Sequence, residues 1–369
     1  MLIATNNKND QILAAKDLCK LETYICPSCQ SPVHLKAGSV MRAHFAHFQK
    51  EACDVFSEGE TEEHLRGKQQ LYDWLVGLGH KVEMEAYLPQ IMQRPDLLLK
   101  LDREEIAIEF QCSGIAIEKV RERTEGYLNN GYKIIWVLGE NFSYERKLTA
   151  FQKVCLTNVY GQLLLFHYSV SKKQLNYRYD FQLKQNQKMI AIQRRLKAGS
   201  QLKLDLKKKK GYSSNVSVNV EMEHQKLKCQ LQYPKNNSQE FLNILYQNKE
   251  TLISMPKECY ETLPAEWLIQ NHHYQWKLEF IVWLESRKPN TVLTPKMLHR
   301  WTDELSYFEV PQVTAKQQLQ PVMEFVYVLV QSNVLKQIRF DKWVIKQSAK
   351  RYKYLEEKFQ QDNKKNADE

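Results

Sequence analysis

Hydrophobic and polar positions alternate most regularly between residues 57 and 165. Ser57 and Glu60 have the spacing of a capping box, which predicts that a helix begins at about residue 58. One face of this helix carries residues at steps of three and four, namely Glu60, His64, Lys68, Leu71, Leu75 and Leu78. This stripe is apolar at one end and polar at the other. We therefore expect its apolar end to pack on a sheet and its polar end to face a functional site.

Strand-like runs and a second helix follow in the same segment. The predicted elements, in chain order, are strands over 81–87, 94–99 and 106–111, a helix over 117–129 and a strand over 132–138. Side chains alternate along the third strand, so Glu109 and Gln111 point away from the face of Phe110. The last strand is apolar enough to be covered on both faces. This order of elements predicts an α/β core with a mixed sheet.

The same patterns divide the chain into four segments. They are a small module over residues 1–56, the α/β core over 57–165, a polar extension and linker over 166–240, and a mostly helical domain over 241–369. The pairs Thr294-Pro295 and Val310-Pro311 break the last segment into short helices. A winged-helix-like module or another small helical module fits that pattern, and the chain ends in a charged tail.

Charge and composition narrow the classes of partner and compartment. The chain has 369 residues and a formal net charge of +10, which suits a polyanion because each neutralised phosphate releases a counterion. We find neither a signal peptide nor an apolar run of the ~20 residues that span a bilayer, so we expect a cytoplasmic protein. The run Lys207, Lys208, Lys209 and Lys210 is a candidate DNA contact, although a solvated loop is the favoured interpretation of so short a basic run.

Two acidic residues form the candidate catalytic centre. Asp96 begins one predicted strand and Glu109 lies on the next, and adjacent strands are about 4.8 Å apart, so both carboxylates can reach one cation. Mg²⁺ or Mn²⁺ prefers such oxygen ligands. Gln111 points to the same side as Glu109 and could place a water or a phosphate. In the alternative interpretation, Asp96 begins a turn and Glu109 pairs with a lysine.

A second cluster, near the N-terminus, has the spacing of a zinc site. Cys26 and Cys29 form a C-x2-C pair, and His44 and His47 follow. Strands over 33–36 and 40–43, joined around Gly38, would give a zinc-ribbon-like module with a structural Zn²⁺. We expect the ligands to be these four side chains, with Cys53 in reserve if one histidine points away. Free thiols and unrelated histidines are the alternative.

These motifs resemble two known groups of proteins. Arg94-Pro95-Asp96, Glu109-Phe110-Gln111 and the helix Arg123-x-x-x-Tyr127 resemble the PD-(D/E)XK, or restriction-endonuclease-like, core and its RecB-like branch. With Cys26, Cys29, His44, His47, Glu60, His64 and Lys68 in the same order, residues 1–170 are similar to the competence protein CoiA family. That resemblance implies a role in natural transformation, in which incoming single-stranded DNA is processed and recombined. It also implies action alongside the RecA-type recombinase and its loading factor.

The motifs together suggest a working mechanism for the candidate centre. Asp96 and Glu109 would hold Mg²⁺ or Mn²⁺, Glu60 would ligate it through water, and Gln111 would position the nucleophile. Lys68 would stabilise phosphate charge beside His64, and the Arg123 and Tyr127 helix would bind DNA. Glu63 competes with Glu60 for its role.

Gln111 is the one departure from the superfamily, which has a lysine there. Either Lys68 supplies the missing cation, or the fold binds single-stranded DNA or the recombinase without cutting. An ordinary solvated helix face remains an alternative for Glu60, His64 and Lys68. A restriction-like enzyme with sequence preference is less favoured, because no base-reading motif is evident.

Overall fold

The computed structural model describes residues 1–20, 22–39, 41–48, 61–142, 147–185, 188–201, 204–206, 218–232 and 236–360. These residues divide into two compact units, the first built mainly from residues 1–180 and the second mainly from residues after 217. No helix in these ranges is both long and apolar enough to cross a bilayer.

A five-stranded sheet opens the first unit. Its strands are β1 (Ile3–Thr5), β2 (Gln11–Leu13), β3 (Tyr24–Ile25), β4 (Pro32–Lys36) and β5 (His44–His47), in the order β2-β1-β3-β4-β5. The predicted strand over 40–43 is wrong, since the partner of β4 begins at His44. This register places Phe45 opposite Leu35 in the core of the module, where both side chains are buried.

A second, larger sheet forms the α/β core of the same unit. Its elements are α1 (Glu62–Gly77), β6 (Lys81–Met84), β7 (Leu97–Lys100), β8 (Glu105–Gln111), α2 (Ile117–Asn129), β9 (Lys133–Leu138), α3 (Ala150–Val154), β10 (Thr157–Val159), β11 (Gln162–Ser169), β12 (Gln174–Leu183) and β13 (Met189–Lys197). The strand order is β13-β12-β11-β9-β8-β7-β6, and β10 pairs with β11. Strand β9 pairs parallel with both neighbours while the β6-β7-β8 meander is antiparallel, which confirms the predicted mixed sheet.

Helices α1 and α2 cover opposite faces of this sheet at β8. Phe110 packs with Leu65 and Leu71 of α1 in one hydrophobic cluster. Glu109, the preceding residue, points to the other face and is hydrogen-bonded by Tyr127 of α2. The alternation along β8 is therefore as predicted, and it directs successive side chains toward different helices.

The predicted boundaries differ from the structure in two places. Thr61 caps α1 and accepts a hydrogen bond from the amide of His64, so the described helix begins at Glu62 rather than near residue 58. Ser57 and Glu60, which suggested the earlier start, lie outside the described residues. The segment over 166–240 is not only a linker, because β11, β12 and β13 continue the sheet through it. By contrast, the helix over 117–129 is confirmed residue for residue.

The second unit is mostly helical, as predicted, with a small sheet. Its helices and strands are α4 (Val220–Gln232), α5 (Asn236–Gln247), α6 (His273–Glu285), β14 (Val292–Leu293), α7 (Pro295–Thr302), α8 (Ala315–Gln331), β15 (Leu335–Arg339), β16 (Lys342–Ile345) and α9 (Leu355–Gln360), and short 3₁₀ turns lie at Lys257–Tyr260 and Glu266–Leu268. The strand order is β14-β16-β15. Helix α6, β14, α7, α8, β15 and β16 thus follow one another as in a winged-helix module.

Gly67 sets how closely α1 approaches the sheet. A Cβ atom at this position would overlap the Phe110 ring. We expect Gly67→Ala to lower the free energy of unfolding by about 1–3 kcal/mol, because the core has no space for the extra methyl group. Urea denaturation measures this. Gly77→Ala is the matched control in the same helix, since no atom lies within 4 Å of its Cβ position. Equal stability of the two variants would contradict this packing.

Candidate functional site

Asp96 lies just before β7 and is held by α1 and by the backbone of β8. Its Oδ2 accepts hydrogen bonds from His64 Nε2 at 3.0 Å and from the Phe110 amide at 2.8 Å. Lys68 Nζ lies 3.3 Å from Oδ1. Burial by itself would raise the pKa of Asp96, but His64, Lys68 and these hydrogen bonds hold it well below its ordinary value. Asp96 is therefore an ionised carboxylate.

Glu109 is held from the opposite face by α2. Arg123 Nη2 and the Tyr127 hydroxyl both donate to Oε1, the latter at 2.6 Å. The two donors are one helical turn apart on the same side of α2, as their spacing predicted. Burial and, to a smaller extent, the charge of Asp96 raise the pKa of Glu109, Arg123 and the hydrogen bonds lower it, and the net result is a pKa of about 7. Both hydrogen bonds end on Oε1, which leaves Oε2 for another ligand.

The two carboxylates flank a single peptide unit. Asp96 accepts the amide hydrogen of Phe110, the residue that follows Glu109 in β8. Their mutual effect on pKa also places them within electrostatic reach of each other. Within the described ranges, neither acid belongs to a group of three or more potential ligands whose atoms lie within 4.8 Å of one another. Their sharing of one divalent ion stays a prediction.

Of the other residues considered for this centre, Gln111 and Glu63 contact the backbone, and the rest lie outside the described residues. Gln111 Nε2 donates to the Ser113 carbonyl at 2.8 Å. Glu63 Oε1 accepts from the Glu140 amide at 2.7 Å. Glu60 and the run Lys207, Lys208, Lys209 and Lys210 lie outside the described residues. The roles of Gln111, Glu60 and this lysine run stay predictions.

Arg123 and Tyr127, which the sequence suggested as DNA contacts, both hold Glu109 in the structure. Tyr127 is fully buried, so its side chain has no surface to offer DNA, and the structure indicates a role in positioning Glu109. Arg123 keeps a quarter of its side chain exposed and also bonds the Arg94 carbonyl at 3.3 Å. A direct contact with DNA stays a prediction for Arg123 alone.

Three of the predicted zinc ligands converge in the N-terminal module. The ligand atoms of Cys26, Cys29 and His47 all lie within 4.8 Å of one another, and Cys29 Sγ is 3.3 Å from His47 Nε2. The turn from β3 to β4 brings the two cysteines together, because the Gln30 amide donates to the Cys26 carbonyl at 3.0 Å. Burial, together with the charges of Arg94 and the N-terminus, lowers the pKa of His47 and favours the neutral imidazole that binds metals. This cluster could hold a metal ion.

His44 is not part of that cluster, so its prediction as a ligand is wrong for this structure. Its Nδ1 lies 2.9 Å from the Arg42 carbonyl instead. Residues three apart on an extended strand point to opposite faces, which separates His44 from His47 on β5. Cys53, the reserve ligand, lies outside the described residues.

Comparison with known proteins finds two matching family models, one for each domain of the first unit. Residues 5–56 match the family model of the competence protein CoiA N-terminal domain, and residues 60–211 match that of the CoiA nuclease-like domain. The two models together cover more than half of the chain. The chain belongs to the competence protein CoiA family. The competence protein CoiA of Bacillus subtilis is 36% identical over 120 residues, which span about a third of either protein (32% of each). No solved structure matches the chain.

The CoiA nuclease-like domain extends past the boundary that the sequence predicted at residue 165. Its match ends at residue 211 and therefore includes β11, β12 and β13. These strands complete the sheet on the side of β9 away from β8.

Glu85 links the N-terminal strand to the nuclease-like domain, and sequence reasoning missed it. Its Oε1 lies 2.5 Å from Lys68 Nζ and accepts from the Leu2 amide at 2.7 Å, while Oε2 accepts from the Ile3 amide at 3.1 Å. It thus ties β1 to α1 in a region that is almost free of solvent. One signal could have found it: a lysine on a buried helix face needs a carboxylate partner.

Arg94 is a second link between the domains. Its Nη1 lies 3.9 Å from Cys26 Sγ and 3.8 Å from Met1 Sδ. Its carbonyl oxygen accepts a hydrogen bond from Arg123, which also binds Glu109. One residue therefore contacts both the cysteine cluster and the donor that orients Glu109.

We expect Glu85→Gln to lower the free energy of unfolding by about 3–5 kcal/mol, because it removes the charge of one of the two carboxylates that pair with the buried Lys68 ammonium in the described part of the chain. Urea denaturation of the full chain measures the change. Glu83→Gln is the matched control: it removes the exposed pair with Lys100, an interaction worth about 0–1 kcal/mol. A loss no larger than that of the control would show that the Glu85 contact contributes little.

Proposed function

We propose that this chain processes incoming or branched DNA during natural transformation, through metal-dependent hydrolysis of phosphodiester bonds, and thereby supports recombination. The supporting observation is the pair of carboxylates, Asp96 and Glu109, that flank the Phe110 peptide at the point where α1 and α2 meet the sheet. The competence protein family and its nuclease-like domain agree with this proposal.

The donor set of this centre fits a hard divalent cation. Asp96 is held ionised and Glu109 has Oε2 available, and carboxylate oxygens are the ligands that Mg²⁺ and Mn²⁺ prefer. Asp96 and Glu109 would hold the ion, with Glu60 as a further ligand through water. When bound, such an ion supplies an activated water and neutralises charge on the phosphate.

The neighbouring side chains of the chain itself prepare this centre. His64 and Lys68 keep Asp96 charged and fix its orientation, and Arg123 and Tyr127 do the same for Glu109. Partners of this kind commonly change metal affinity or activity by 10–100-fold when they are lost. Gln111 would place the nucleophile or a phosphate oxygen by hydrogen bonding, because a neutral amide cannot supply charge.

A second candidate function is a mediator that binds single-stranded DNA or the recombinase without cutting. Gln111 favours this alternative, because the superfamily's lysine would stand there. Lys68 replaces that lysine poorly as a phosphate contact, since it is fully buried between Glu85 and Asp96. The RecA-type recombinase and its loading factor are the proposed partners in either case, and the cytoplasm is the proposed compartment.

We further propose that the cysteine cluster binds a structural Zn²⁺. Thiolates and imidazoles in tetrahedral sets of four are typical of such sites. Cys26, Cys29 and His47 supply three ligands, and Cys53 is the proposed fourth in place of His44. A small domain with little core of its own gains folding free energy from the metal.

The nuclease proposal predicts that the full chain, with Mg²⁺ or Mn²⁺, cleaves labelled single-stranded or branched DNA, and that Glu109→Gln abolishes this cleavage. Binding should persist in the variant, because the amide keeps the size of the carboxyl group and removes only its charge. Gel assays of cleavage and fluorescence anisotropy of binding measure the two effects. Binding without cleavage by the unchanged chain would instead support the mediator.

A pair of tyrosine variants tests whether α2 positions Glu109. Tyr127→Phe removes the hydroxyl that donates to Glu109, so we expect cleavage to fall by about 10–100-fold. Tyr132→Phe is the matched control, because its hydroxyl contacts Gln90 and its ring packs against Tyr127. Equal activities for the two variants would remove the positioning role.

The zinc proposal predicts about one Zn²⁺ per chain by elemental analysis, and loss of that metal in Cys26→Ser, Cys29→Ser, His47→Ala and Cys53→Ser. His44→Ala should keep its metal, since its imidazole lies outside the cluster. Retention of zinc by Cys53→Ser together with loss from His44→Ala would restore His44 as the fourth ligand. Unfolding in chelator measures the stability that the metal contributes.

A further inference from the structure

The hairpin of β15 and β16 in the second unit ends in an exposed aromatic side chain among cations. Phe340 is 95% exposed at the tip, and Ile338 beside it is also exposed. Lys336, Arg339 and Lys342 belong to the same hairpin, whereas Asp341 is its one acidic residue. An apolar ring so open to water has no packing role in the folded chain, and its surroundings are positively charged.

The hairpin is well anchored, so its tip is presented in a defined geometry. Leu335 and Ile345 face each other across the strands, and both are buried in the core of the unit. The register shifts between Gln337 and Arg339, and Gln337 Nε2 donates to the Phe340 carbonyl at 3.1 Å. An irregularity of this kind bends the strand locally near the tip.

Two of the cations face each other directly. Arg339 pairs with Lys342 across the tip, on either side of Phe340 and Asp341. Like charges in opposite positions of a hairpin repel each other and weaken the pairing. An anionic ligand relieves that repulsion, and a chain of phosphates does so at several cations together.

The position of the hairpin in the unit agrees with such a contact. In the order α6, β14, α7, α8, β15 and β16, the hairpin takes the place of the wing that follows the third helix. Wings of this kind often lie against nucleic acid, although the likeness of fold gives only the location. The side chains at the tip decide the ligand.

We propose that this hairpin is a second DNA-binding site and that it takes unpaired, single-stranded DNA. Phe340 stacks on an exposed base, and Lys336, Arg339 and Lys342 contact the flanking phosphates. Phenylalanine has no hydrogen-bonding group to read base edges, so the contact is tolerant of sequence. The cations favour DNA over an apolar protein surface. This site is independent of the nuclease centre, and it operates whether or not that centre cleaves.

Binding of the full chain to a fluorescent oligothymidine, without added Mg²⁺ or Mn²⁺, tests the proposal. We expect Phe340→Ala to weaken binding about tenfold and Phe340→Trp to retain it, since base stacking on aromatic rings has this order of effect. Tyr160→Ala is the matched control, because Tyr160 is equally exposed (95%) at the tip of the β10–β11 hairpin, where the neighbouring residues carry no charge. It should bind as the unchanged chain does.

A second pair of variants tests the phosphate contacts. Lys336→Glu with Arg339→Glu should weaken binding and flatten its dependence on salt concentration, because fewer counterions are released. Lys172→Glu with Lys173→Glu makes the same change in net charge at the exposed tip of the β11–β12 hairpin and should have a much smaller effect. Matching thermal unfolding curves show that all variants are folded.

Three results would overturn the proposal. They are equal binding by Phe340→Ala and Tyr160→Ala, equal losses in the two charge-reversal pairs, and a loss on blunt duplex DNA as large as that on single strands. The last result would mean a phosphate contact without stacking. The assay measures binding without added Mg²⁺ or Mn²⁺, so its outcome does not depend on cleavage, and this separates the site from the nuclease centre.

Discussion

A single buried ammonium group organises the first unit. Lys68 has no exposed surface, and its charge is stable there because Glu85 and Asp96 both lie within ion-pair distance. Glu85 also accepts hydrogen bonds from the Leu2 and Ile3 amides, and Asp96 accepts one from the Phe110 amide of β8. The N-terminal strand, the first helix and the edge of the candidate centre therefore share one charge network. Because Lys68 pairs with both carboxylates, the ionisation of Asp96 and the contacts that hold the N-terminal module in place affect each other.

The two acids of the centre have unequal environments. Asp96 has a cation, an imidazole and an amide around it, so its charge is fixed. Glu109 has one cation and one hydroxyl in a buried setting that raises its pKa, so its charge depends on what else is bound. A cation at Oε2 would favour the ionised form of Glu109. The two supporting helices lie on opposite faces of the sheet, and the carboxylates that they hold still interact through their charges.

The spacing of buried residues along the sequence predicted the elements that bury one regular face. It failed where a residue is buried by contacts with distant parts of the chain. The helix over 117–129 was predicted correctly because Val120, Thr124 and Tyr127 recur at helical spacing. Strand β12 was missed because its buried residues include Tyr177 and Tyr179, which look polar in sequence. The histidine pair suggested two ligands, but an extended strand points His44 and His47 apart. Glu85 has no periodic signal, since its partners are Leu2, Ile3 and Lys68 and its backbone has a φ of 54°.

The replacement of lysine by Gln111 can be weighed by counting charge. When Glu109 is ionised and His64 is neutral, Glu85, Asp96 and Glu109 carry three negative charges, and Lys68 and Arg123 carry two positive ones. The centre therefore has one unbalanced negative charge, and an approaching phosphodiester adds a second. A divalent cation balances both, whereas a lysine at position 111 would balance one of them. Because α1 and α2 already supply side-chain cations, a divalent ion at the proposed site would complete the charge balance, and Gln111 would lack only the contact that a lysine could make to a phosphate.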